Sequence, residues 1–221
     1  MAICDAKYRF LWVDIGSYGR DNDAAVFGRS DIAKLLETGD AGLPAADEEG
    51  GLNLPYYLVG DEIFPLHQWL MKPYPGKNLT LDQQIYNYRL SRARRTIENA
   101  FGILSSKFRI FRSPIIANID LVDLVVQACT VLHNYLLLTD NAKYLPSGFV
   151  DSYDSSGNII DGAWRTEPPA EGLVPLCNQG NRNAPNVAKA TRDMLRTYVT
   201  SDEGSVSWQH AHVTDVGPIN E

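Results

Sequence analysis

The stretch "LVGDEIFPLHQWLMKPY" (58–74) decides how the chain is read. Apolar residues lead into one acid, Asp61, and prolines, aromatics and Trp69 follow directly. A buried strand that ends on a carboxylate sits where α/β sheets carry ligand-binding groups, and Gly60 leaves the backbone beside it uncrowded. The plain alternative is an Asp that forms a turn and caps the next segment.

Upstream, "MAICDAKYRFLWVDIG" (1–16) reads as two short strands around a turn at Asp5, Ala6 and Lys7, the second strand being "RFLWVDI". "GSYGRDND" (16–23) has loop composition, and "DAAVFGRSDIAKLLETG" (23–39) carries apolar residues at helical spacing until Gly39 stops it. The acidic, Gly- and Pro-rich stretch 40–55 predicts a surface loop, and "YYLVGD" (56–61) a buried strand.

Downstream, a helix is expected from 79 to about 108, capped by Thr80, with Ile85, Ala93, Ile97, Ala100, Phe101 and Leu104 on one face. A second helix, about 120–138, is apolar nearly all round and is expected to be buried. Residues 141–186 predict a Gly-, Pro- and Ser-rich extended connection after a domain of residues 1–140, and 187–221 a C-terminal amphipathic helix with a tail.

Glu98, in "SRARRTIENAFG" (91–102), is the second candidate acid. At about 100° per residue it lies on the flank of the apolar stripe, beside Ser91, Gly102 and Ser105, whose small side chains leave room for an ion or substrate. Its ordinary role would be a surface pair with Arg94 or Arg95. A third acid, Asp23, opens a helix, where its default role is N-cap; Asp21 could serve instead.

The 221 residues carry a formal net charge of −7, which argues against a generally basic nucleic-acid-binding protein. Between positions 89 and 112, however, seven cations (Arg89, Arg92, Arg94, Arg95, Lys107, Arg109, Arg112) meet one acid, Glu98. Cations beside carboxylates suit phosphodiester chemistry, in which the cations hold the backbone and the acids hold divalent metal ions. A solvated helix face is the plain alternative for the arginines. His133 lies in the most apolar segment and reads as a hydrogen-bonded core residue, Trp69 as core packing, and Gly16 and Gly19 fall short of a phosphate-binding loop. Three scattered cysteines suggest a reducing compartment, and no apolar run is expected to reach the roughly 18 residues of a membrane span.

"VGDEIFPLHQWLMKPY" (59–74), "YNYRLSRARRTIENAFGILSSKFRIF" (86–111) and "ACTVLHNYLL" (128–137), in this order, resemble the nuclease domain of PIF/Harbinger-type DDE transposases and their domesticated relatives over about residues 1–140. "RDMLRTYVTSDEGSVSWQ" (192–209) is similar to the family's C-terminal end. The resemblance implies an α/β, RNase H-like fold, with a mixed sheet and flanking helices, and a nuclease active on DNA. It implies Asp61 and Glu98 as catalytic acids, and Asp23, Asp61 and Glu98 as ligands of Mg²⁺ or Mn²⁺. Arg92, Arg94, Arg95, Lys107 and Arg109 are then expected on DNA phosphates. The nucleus, with the cytoplasm as a second possibility, is the implied location, and a Myb-like DNA-binding protein an implied partner. Family members carry a further catalytic Asp on a first strand ahead of the hairpin. Met1 falls inside the hairpin, so that strand and its acid are expected to be missing here. A catalytically silent DNA- or protein-binding module therefore stays open beside the nuclease.

Overall fold

The computed structural model describes residues 1–17, 21–49, 51–166 and 184–214. Cys177, Gly19, much of the expected connection and the end of the tail lie outside them. In chain order the elements are β1 (Ala2–Cys4), β2 (Phe10–Val13), α1 (Asp23–Arg29), α2 (Asp31–Thr38), β3 (Asp47–Glu49), β4 (Leu52–Leu54), β5 (Leu58–Val59), β6 (Leu70–Met71), α3 (Leu81–Lys107), α4 (Ile119–Thr139), α5 (Asn141–Tyr144), β7 (Ser152–Tyr153), β8 (Ile159–Ile160), α6 (Asn186–Thr200) and α7 (Gln209–Thr214). Two 3-10 turns cover Arg109–Arg112 and Ala163–Thr166.

The class is mixed α/β, as expected. The strands pair only two by two: β5 with β6 parallel, and β1 with β2, β3 with β4 and β7 with β8 antiparallel. Among the described residues no larger mixed sheet forms. The chain divides into two compact units, Met1–Asp21 with Arg95–Leu176 and Asn22–Arg94 with Cys177–Glu221. Helix α3 supplies residues to both.

In the first unit the β1–β2 hairpin turns as expected, because Asp5 Oδ1 accepts from the backbone N–H groups of Lys7 (2.8 Å) and Arg9 (3.0 Å). Among the described residues no third strand pairs with the outer edge of β2, and the Asn134 side chain stands in for one. Its Oδ1 accepts from Phe10 N–H at 2.9 Å and its Nδ2 donates to the Phe10 carbonyl at 2.8 Å. Phe10 then packs with Ala100, Leu104 and Cys129, while Ile103, Leu137 and Tyr144 form a second cluster. His133 is fully buried, with Nδ1 2.8 Å from the Tyr144 hydroxyl and Nε2 2.8 Å from the Tyr8 carbonyl. Since a carbonyl only accepts, Nε2 carries the proton and Nδ1 accepts from Tyr144. The structural role expected of His133 is what the unit shows.

Three expectations here are corrected. Phe101 and Ala93 are exposed on α3, and Ile103 takes a core position instead. Helix α4 is buried on one face only: Leu124, Val131, Tyr135 and Leu138 stand exposed, because the short hairpin, α3 and α5 cover a single side. By length and composition alone α4 is apolar enough to cross a bilayer, contrary to the expectation that no run would be. Its polar residues His133 and Asn134 are nevertheless committed to the unit's own backbone.

In the second unit the helix expected over 23–39 is two helices. Ser30 adopts an extended backbone (φ −71°, ψ 154°) and serves both ends. Its Oγ donates to the Phe27 carbonyl at 2.6 Å and accepts from Ala33 N–H at 3.3 Å, a local exchange that competes with a continuous helix. Gly39 ends α2 in the left-handed region (φ 83°), as expected. The expected 40–55 loop contains the β3–β4 hairpin. Strand β5 is shorter and less buried than the expected buried strand, with Tyr56 and Tyr57 exposed. Thr80 caps α3 reciprocally with Gln83, and Leu66, Met71, Tyr74, Tyr86, Leu90 and Leu195 form the core.

Candidate functional site

Asp61 follows β5 at a turn. Its Oδ1 accepts from Ile63 N–H at 3.0 Å, so the turn-forming role is real, while Oδ2 lies 4.0 Å from Arg94 Nη2. The side chain keeps 36% of its surface exposed. The turn is held from below by Lys72, which is buried and donates from Nζ to the carbonyls of Glu62 and Phe64, both at 2.7 Å. Burial pushes the Lys72 ammonium down, and Arg192 adds to this, against the pull of Glu62 and Asp61. Gly60 is not uncrowded. A Cβ there would lie 3.0 Å from the Phe64 ring and 3.3 Å from Leu70, so the glycine is required for close packing. Phe64 and Trp69 in turn close on Phe27, with ring centroids 5.7 and 6.0 Å apart, and His67 stacks flat on Trp69 at 4.3 Å.

Asp23 is the first residue of α1 and exposed; the N-cap is Asn22, whose Oδ1 accepts from Ala24 N–H at 2.8 Å. Neither Asp23 nor Asp21 caps the helix.

Glu98 stands on the other unit's share of α3, with 55% of its side chain exposed. Its ion partner is neither Arg94 nor Arg95 but Arg165, whose Nη2 lies 4.0 Å from Oε2. Arg165 is fixed by Asp151, a carboxylate with no exposed side-chain surface, through Nη2 to Oδ2 (2.6 Å) and Nε to Oδ1 (2.8 Å). Asp151 also accepts from Gly162 N–H (2.9 Å) and faces Arg95 at 3.5 Å. Burial pushes the Asp151 carboxyl up, but the Arg165 and Gly162 hydrogen bonds and the charges of Arg165 and Arg95 outweigh it and hold it below the usual range. The room expected beside Gly102 is filled: a Cβ there would overlap the Trp164 ring, whose Nε1 donates to Asn99 Oδ1 at 2.9 Å. Sequence reasoning missed Lys72, Asp151, Trp164 and Arg165. Lys72 was legible only as a cation beside a proline, and the others lie in a stretch read as connection.

The basic side chains are largely occupied. Arg92 lies over the Trp208 ring at 4.0 Å, Arg94 faces Asp61, Arg95 faces Asp151, Lys107 sits 4.0 Å over Phe149, and Arg109 is exposed. Asp61, Asp23 and Glu98 offer the hard oxygens that Mg²⁺ or Mn²⁺ takes. Asp61 and Glu98 meet their cations only at 4.0 Å, which leaves them competent as donors. Among the described residues no group of three or more His, Cys, Asp or Glu side chains gathers as a metal site.

The two candidate acids thus stand apart in setting: Asp61 follows a short parallel strand, and Glu98 lies on a long basic helix. The chain belongs to the DDE superfamily endonuclease family, whose profile matches residues 1–134, and this bears out the resemblance read from the sequence. It is 33% identical to "Protein ALP1-like" of Arabidopsis thaliana over 141 residues, 62% of this chain and 34% of the relative. It is 27% identical to "Putative nuclease HARBI1" of Xenopus laevis, over 63% of this chain and 38% of the relative, and 26% identical to the human protein of that name, over 62% and 36%. The chain thus spans about a third of the length of the curated relatives it matches. No solved structure matches it.

Proposed function

We propose that the chain is a divalent-metal-dependent endonuclease of transposase descent that hydrolyses DNA phosphodiester bonds, built on an RNase H-like fold and working in the nucleus, with the cytoplasm as a second location. The observation that carries this reading is the family match over residues 1–134, which spans Asp23, Asp61 and Glu98. Asp61 and Glu98 are the catalytic acids, Asp23 a further ligand, and Mg²⁺ or Mn²⁺ would supply the polarisation of water and of the leaving oxygen. The chain's own residues position these acids: the Lys72-braced turn holds Asp61, and α3 carries Glu98. Arg92, Arg94, Arg95, Lys107 and Arg109 contact phosphates, and a Myb-like protein assists site selection. Nicking of plasmid DNA with Mn²⁺ tests the reading. Asp61→Ala and Glu98→Ala should each lower the nicking rate by roughly a hundredfold or more, the scale on which a preorganised charged group acts.

A catalytically silent DNA- or protein-binding module is the second reading. It is favoured by the cations beside the acids, Arg94 at Asp61 and Arg165 at Glu98. The same assay separates the two, because DNA binding without nicking, unchanged by either substitution, selects the silent module.

A further inference from the structure

We propose that Arg165 is a phosphate-contacting residue of the Glu98 site, locked in place by the buried Asp151. This deepens the DNA-cleaving reading and rests on it for the substrate, but it concerns a segment that lies beyond the family match of residues 1–134.

The arrangement is specific. Arg165 uses Nε and Nη2 on Asp151, and its guanidinium Cζ lies over the Trp164 ring, 4.2 Å from the centroid. Trp164 is fixed by Asn99 and by the Gly102 notch, one and four residues along α3 from Glu98. Arg165 is therefore held by the Asp151 carboxylate and the Trp164 indole, with the exposed Asp161 carboxylate 3.6 Å from the same Nε edge. Among the described residues Nη1 makes no hydrogen bond, and 29% of the side chain is exposed. At 4.0 Å, Glu98 is too far for a direct hydrogen bond, so this pair is loose while the Asp151 pair is tight. A guanidinium anchored at one edge and open at the other is preorganised for a phosphate oxygen, and its fork suits that geometry. Glu98 is then a competitor for the same cation until it is drawn away.

Binding of a labelled DNA duplex by the full chain in EDTA tests this without any chemistry. Arg165→Gln should weaken binding about tenfold, the scale of a hydrogen bond to a charged group, and lower the salt slope by about one. Glu98→Gln should strengthen binding, and only while Arg165 is present. A purely structural Arg165 would give neither the slope change nor this dependence. Arg165→Lys, which keeps the charge opposite Asp151, should bind at an intermediate level and carries the test if the glutamine variant fails to fold. Parent-like affinity and salt slope in the folded Arg165 variants, or equal strengthening by Glu98→Gln with and without Arg165, overturns the proposal. Failure of the nuclease reading is separate: it shows as absent nicking by the parent chain in Mn²⁺, whatever these binding results are.

Discussion

At the scale of single residues, the most informative position is Gly102. By helix propensity alone, alanine there should stabilise α3 by about 1 kcal/mol. The Trp164 ring occupies the space a Cβ would need, and overpacking of this kind costs typically about 1 to 3 kcal/mol. Packing therefore wins, and Gly102→Ala should destabilise the chain by about 1 to 2 kcal/mol in denaturant unfolding. Pairing it with Trp164→Ala should recover much of that loss, a coupling that a double-mutant cycle measures. The local pattern already showed Gly102 as small and close to Glu98. Which ring would fill the notch was not legible, since it comes from 62 residues further along the chain.

Among elements, hairpin β1–β2 and helix α4 show how side chains complete backbone pairing. A two-stranded ribbon leaves one edge of each strand without a ladder partner, and a buried backbone group left unpaired costs about 1 to 3 kcal/mol. Asn134 answers this at Phe10 with both a donor and an acceptor. Asn134→Ala should lower stability by about 2 to 4 kcal/mol, because both Phe10 groups lose their partner. Asn134→Asp should also destabilise, since it places a second acceptor against the Phe10 carbonyl. Thermal unfolding of the two variants checks both. Asn87 acts alike on Tyr74, accepting from its N–H at 2.7 Å and donating to its carbonyl at 3.0 Å, so the device recurs in the other unit. An Asn inside a helix carries no mark of this role in the sequence, as its partner is a backbone group outside that helix, 13 residues away for Asn87 and 124 for Asn134.

For the whole molecule, the histidines set an acid limit. Burial lowers the pKa of His133, against the pull of the Tyr8 carbonyl, and burial lowers that of His67, against Glu37. Between these lowered values and the ordinary value of about 6.5, the unfolded chain binds more protons than the native one. The contribution of these two histidines is then complete above about pH 6.5 and is lost as pH falls from there toward their lowered values. Equilibrium unfolding of His133→Gln across this range should show a shallower slope than the parent.

What the sequence by itself determined was local. The Asp5 turn, the Thr80 cap, the Gly39 stop, the extent of α3 and α4 and the buried role of His133 all follow from side chains acting on neighbours within a few residues or on one helix face. The acids at 61 and 98 were visible for the same reason, as was the resemblance that the family match supports. Only the tertiary structure decided that Ser30 divides a helix, that one face of α4 stays open, and that Glu98 faces Arg165 rather than its helical neighbours. Periodicity reports which positions share a face. It does not report what a distant segment brings to that face, because such pairings depend on burial and charge compensation, which exist only once the chain has closed on itself.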